Sequence, residues 1–151
     1  MRKNPARLSA LLGGACLLAG CASGPQTQAL APAGFDRVTV GGELRQRIER
    51  NFDRLETDYY QPDQVYWTGE QSGGWPGDKE GRTILALVLD AQASGRTPLY
   101  LDELIRRLPR ELNAKGYLGS ILEGSADEQQ LSGHGWLLRG LCEYYAWKKD
   151  P

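Results

Sequence analysis

Three glycine-rich loops carry most of the side chains in this 151-residue sequence that suit binding chemistry. The first runs from Trp67-Thr68-Gly69 through Gly73-Gly74-Trp75-Pro76-Gly77-Asp78-Lys79-Glu80-Gly81-Arg82. The second is Lys115-Gly116-Tyr117-Leu118-Gly119, and the third is Leu131-Ser132-Gly133-His134-Gly135-Trp136. Glycine permits tight or positive-φ turns that bring a side chain to the mouth of a core. Aromatic rings beside Asp, Glu and His are the usual lining of a carbohydrate site, which needs flat apolar faces and directional hydrogen bonds. Trp75, Asp78, Glu80, Tyr117 and His134 are therefore the candidate sugar-binding residues. The first and third loops also have a plain structural use: Trp67 and Trp75 as anchors on the core, Asp78 as a helix cap, and His134, the one histidine, as a satisfied polar residue at a helix start.

Catalytic groups are harder to place. Most glycosidases use two carboxyl groups about 5 to 9 Å apart. Asp78 and Glu80 are a conceivable pair, but two residues apart in a tight loop they suit capping a helix or binding a hydroxyl better. Of the cysteines Cys16, Cys21 and Cys142, only Cys142 belongs to the body of the chain, where its apolar helical surroundings read as those of a small buried hydrophobe. No internal disulfide is then available.

Arg2, Lys3 and Arg7 precede a short apolar run, residues 8–20, which has the length and flanks of a secretory signal and is too short to span a bilayer. The run ends Leu18-Ala19-Gly20-Cys21, which resembles the lipobox of bacterial lipoproteins. That likeness implies lipidation at Cys21 and a membrane contact through a lipid anchor only. Ala22, where an aspartate would mark inner-membrane retention, points to the outer membrane facing the periplasm; the alternative is an ordinary secretory signal cut near Ala22. Residues 21–34, the lipidated cysteine and an uncharged tether, could hold the body about 40 Å from the bilayer. Removing residues 1–20 takes three bases and no acid, leaving 15 Lys and Arg against 19 Asp and Glu, a formal charge of −4. A mildly acidic body gives no footprint for nucleic acid.

The elements that must position the loops lie in residues 35–151, and they are helical. Leu44, Ile48, Phe52, Leu55 and Tyr59 recur at helical steps along one face. Residues 83–94 contain an uninterrupted run from Ile84 to Leu89, so this helix must be covered on most sides. Thr97-Pro98 reads as a cap and first turn, with Leu101, Leu104, Ile105 and Leu108 as a stripe and Pro109 as the stop. A last segment from Ser132 carries Trp136, Leu137, Leu138, Leu141, Tyr144, Tyr145 and Trp147, and Lys148 and Lys149 suit the negative end of its dipole. No run shows strand alternation, so the fold class is all-α, built of helical hairpins. The apolar surface these helices carry exceeds what so few of them can cover, as expected for part of a helical toroid.

Trp75-Pro76-Gly77-Asp78-Lys79-Glu80-Gly81-Arg82 entering an apolar helix, Gly116-Tyr117-Leu118 after a second helix, and Gly133-His134 opening a third resemble the N-terminal part of the β-L-arabinofuranosidase-like glycoside hydrolases, family 127 and its relatives. The resemblance covers residues 41–151. It implies the first part of an (α/α)6 barrel, a missing C-terminal portion of that barrel as partner, and an oligo- or polysaccharide substrate containing arabinose or related sugars. It also implies that His134 reaches sugar hydroxyls and that the loop from Asp78 to Arg82 lies at the barrel mouth. Full-length relatives hold zinc through cysteines and a glutamate, one cysteine acting as nucleophile. Neither that nucleophile nor that metal set can be carried onto this chain, so no cofactor is assigned to it.

Two functions remain open. One is the leading segment of an exported, lipid-anchored glycoside hydrolase, inactive by itself. The other is a complete small helical lipoprotein that binds a glycan or an envelope protein without catalysis.

Overall fold

Every regular element among the described residues is helical. Two 3-10 turns, Phe35–Arg37 and Asp58–Tyr60, accompany five α-helices: α1 (Gly42–Leu55), α2 (Pro62–Val65), α3 (Asp78–Ser94), α4 (Leu101–Glu111) and α5 (Glu128–Lys148). The computed structural model describes residues 33–66 and 75–149, which fall within one unit of the chain, Ala33–Pro151. The expected signal, Cys21, nearly all of the tether, and Trp67, Gly69, Gly73 and Gly74 lie outside the described residues. Among the described residues no helix is long and apolar enough to cross a membrane.

α3 is the axis of the unit. Its apolar run buries Ile84, Leu85, Leu87, Val88 and Ala91 on successive faces, as a helix without a polar side must. Leu55 of α1, Val65 of α2, Leu101, Leu104 and Leu108 of α4, Leu118 of the loop after α4, and Leu137 of α5 close around it. Tyr66 joins this core, and its hydroxyl donates to the Leu104 carbonyl at 2.6 Å, so the one polar atom of that ring is satisfied. α3 and α5 cross backbone to backbone. A Cβ at Gly81 would lie 2.2 Å from the Leu137 nitrogen and from the Trp136 carbonyl carbon, so only glycine permits this separation. α1 is fastened to the far end of α3 by polar groups: Arg45 donates to the Ser94 carbonyl at 2.9 Å, and Asn51 donates to the Asp90 carboxylate. Arg96 reaches back to Asp53 at 2.7 Å while its guanidinium lies over the Phe52 ring.

Several boundaries differ from the sequence reading. α3 begins at Asp78, so the segment from Asp78 to Arg82 is the start of a helix, not a loop. Gly77, at φ 92°, turns the chain into it. α1 stops at Leu55, and Tyr59 sits on the separate 3-10 turn, 61% exposed, instead of continuing the apolar stripe. α4 starts at Leu101, after Thr97-Pro98, and runs through Pro109, which has no N–H to donate to the Ile105 carbonyl; that hydrogen bond would fall in the final turn. α5 begins at Glu128, where the Asp127 carboxylate accepts the Gln130 N–H at 2.9 Å, so Gly133 and His134 lie inside the helix. The four-residue α2 carries too few residues for any periodicity to mark it.

α5 is only half covered. Gly133, Leu137 and Gly140 are buried against α3, whereas Leu131, Leu138 and Tyr145, seven residues apart on the other side, are 68%, 63% and 53% exposed. Cys142, expected to be buried, is exposed on the same helix. The apolar pattern that suggested burial describes composition around the whole helix, and this face has no helix against it among the described residues.

Candidate functional site

The described parts of the three glycine-rich segments meet. The Pro76–Gly77 turn packs against the start of α5: a Cβ at Gly133 would lie 2.2 Å from the Pro76 carbonyl oxygen, and one at Gly77 would lie 2.9 Å from the Gly133 carbonyl. The loop after α4 joins them, since Gly119 faces the Pro76 ring. Absent side chains at the first two positions are what let the turn sit directly on the helix.

Around this junction the five candidate residues separate into three environments. Trp75, 43% exposed, shares a shallow depression of about 350 Å³ with Asp78, Lys79 and Arg82. A second of about 390 Å³ adjoins it, sharing Asp78, Lys79 and Arg82 and adding Arg54, Tyr59 and Tyr60. Tyr117 and His134 line a different depression, of about 240 Å³, with Leu122, Asp127, Gln130 and Leu131. Glu80 lines none of these: it is 5% exposed, and its Oε2 accepts the Gly77 N–H at 2.9 Å.

Glu80 therefore caps α3. Burial pushes its carboxyl above the ordinary range; the Glu80 and Gly77 amides and Lys79 oppose this, and Asp78 adds to it. Asp78 turns the other way and accepts from Arg82 Nε at 2.9 Å, one turn on. The two carboxylates thus occupy different surroundings, one enclosed and one in the open depression, and do not face a common substrate position.

His134 is fully engaged within the chain. The Leu118 N–H donates to its Nε2 at 3.2 Å, and its Nδ1 lies 2.5 Å from the Gln130 carbonyl. A backbone N–H needs a lone pair, so Nε2 is the unprotonated nitrogen and Nδ1 donates. The Tyr117 ring stands edge-on to the imidazole at 5.8 Å between centroids. In this arrangement His134 ties the loop after α4 to α5, and its ring edge beside Tyr117 is what remains for a ligand.

Sequence reasoning passed over four residues that complete the Trp75 cleft. Lys79 Nζ donates to the Gln64 carbonyl at 2.7 Å and lies 4.1 Å from the centre of the Tyr59 ring. The Arg82 guanidinium lies 4.3 Å from the centre of the Trp136 ring. Arg54 donates to the Tyr60 hydroxyl and to Asn51 Oδ1. The signal for Tyr59 was present, since an aromatic pair after the last helical turn is a poor continuation of α1, yet its spacing from Leu55 disguised it.

Among the described residues no group of three or more His, Cys, Asp or Glu converges, and Cys142 stands exposed on α5. No family model matches the chain, and no curated protein or solved structure is detectably similar to it.

Proposed function

We propose that this chain is the leading helical segment of an exported, lipid-anchored, β-L-arabinofuranosidase-like glycoside hydrolase, and that its own part is to hold a glycan and not to cleave it. The observation that carries the reading is the cleft of Trp75, Asp78, Lys79 and Arg82, in which a partly exposed indole face stands among donors and an acceptor. Support for a larger helical ring comes from the open face of α5, where Leu131, Leu138 and Tyr145 would be covered by a following hairpin. The alternative, a small helical lipoprotein that binds a glycan without catalysis, draws on Glu80 and His134 both being engaged in holding the fold.

The decisive test of binding is a fluorescence titration of the purified chain with arabinan-type oligosaccharides, alongside Trp75→Ala. A saturable change in the native chain that disappears in the variant supports the reading, and an unchanged spectrum at millimolar sugar refutes it. Translating the DNA past codon 151 separates the two forms: paired cysteines downstream favour the hydrolase segment, and a stop followed by an unrelated gene favours the small lipoprotein.

A further inference from the structure

We propose that the glycan held at the Trp75 cleft is acidic, a sugar bearing a carboxylate such as a uronic acid; the inference rests on the carbohydrate reading above. The two adjoining depressions that form the cleft are lined by Arg54, Lys79 and Arg82 against a single carboxylate, Asp78. This excess of positive charge stands on a body whose overall charge is −4 once residues 1–20 are removed. Like charges gathered on one concavity repel, and an anionic ligand relieves that repulsion where a neutral one does not.

The cations are also placed, not trailing in solvent. They come from two elements, Arg54 from α1 and the other two from the first turns of α3. Lys79 is held over Tyr59 and Arg82 over Trp136, contacts that fix the stems while leaving N–H donors beyond those already bonded to Gln64 and Asp78. Arg82 in particular bonds Asp78 through Nε, so the rest of its fork is oriented for a carboxylate. In the bound state the sugar ring lies on Trp75, its carboxylate meets Arg82 and Lys79, and a hydroxyl donates to Asp78. A wholly solvated rim of surface lysines and arginines would lack the aromatic seat beneath each cation.

The test uses the full chain and three probes: an oligogalacturonide, its fully methyl-esterified counterpart, and inorganic phosphate, each titrated by calorimetry at low and raised salt. The acid form should bind about tenfold or more tightly than the ester, with the difference shrinking as salt rises. Arg82→Gln and Lys79→Gln should each weaken the acid form far more than the ester, so that most of the preference is lost, and Trp75→Ala should weaken both sugars to a similar degree. Thermal melts of each variant establish that it is folded. Equal affinity for acid and ester overturns the inference and leaves the carbohydrate reading standing. Failure of both galacturonides overturns the inference, and the carbohydrate reading falls with it only if arabinan-type oligosaccharides also fail to bind. Phosphate binding as tightly as the oligogalacturonide overturns the inference in favour of a general anion site.

Discussion

The Glu80 carboxylate, nearly enclosed at the first turn of α3, accepts the backbone N–H of Gly77 at 2.9 Å. This single bond fixes where the helix starts and therefore how Asp78, Lys79 and Arg82 are presented. Glu80→Ala leaves a buried N–H without an acceptor and should cost about 1–3 kcal/mol in urea unfolding. Glu80→Gln keeps an acceptor and removes the buried charge, so near neutral pH it should lie within about 1 kcal/mol of the native chain.

The same residue predicts a pH dependence. Burial raises the folded-state value of its carboxyl above the unfolded one. Its neutral form is thus favoured in the folded chain, and its contribution to stability is full below the unfolded value and is lost as pH rises through the folded value. Melting temperatures of the native chain and Glu80→Gln, measured from about pH 4 to pH 8, should diverge in favour of the glutamine variant as pH increases. Parallel curves would refute the assignment.

His134→Ala should destabilise by about 1–3 kcal/mol, because the enclosed Leu118 N–H loses its acceptor. Amide exchange at Leu118 should accelerate with it, whereas exchange at Val88, in the middle of α3, should follow only the global change. An unaltered Leu118 rate would show that the imidazole does not hold this loop.

Two glycines give opposite expectations. Gly81→Ala places a methyl group into the α5 backbone and should cost about 1–3 kcal/mol or more. Gly135, on the exposed side of α5 with open space around its missing Cβ, should gain as much as about 1 kcal/mol on substitution by alanine through helix propensity alone. Paired thermal melts separate the close crossing from any general effect of glycine in helices.

The open side of α5 makes a further pair. Leu138→Gln should reduce hydrophobic-dye binding and self-association with a stability change within about 0.5 kcal/mol, since the side chain is 63% exposed. Leu137→Gln, one residue earlier and 6% exposed, should unfold the chain by placing an amide in the core.

Much of this architecture was legible in the residues. The unbroken run from Ile84 to Leu89 could only be a helix covered on most sides, and it is the axis of the unit. The glycines carried only part of the meeting of these segments: Gly77, Gly81 and Gly133 sit where backbones touch, whereas Gly116 and Gly135 have open space around them. What escaped was directional. The apolar content of the last segment says that some face of α5 is buried but not which, so Cys142 was placed inside and stands outside. Likewise His134 and Glu80 have the chemistry of a sugar site, yet they bond backbone groups, His134 those of Gln130 and Leu118 and Glu80 that of Gly77. Periodicity carries no information about a bond such as that from the Leu118 N–H to His134, sixteen residues apart. Tyr59 was misassigned because the chain leaves α1 at Leu55, and a spacing of four residues looks the same on either side of a helix end.

Cys142 offers a consequence of its own. A thiol standing on the uncovered flank of α5, among leucines and a tyrosine, is a native attachment point for maleimide reagents. Its alkylation rate becomes a gauge of whether that flank is wet: fast while water reaches it, and slowed by orders of magnitude whenever protein lies across it. Occupancy of the helix can then be followed in living cells without altering a single residue.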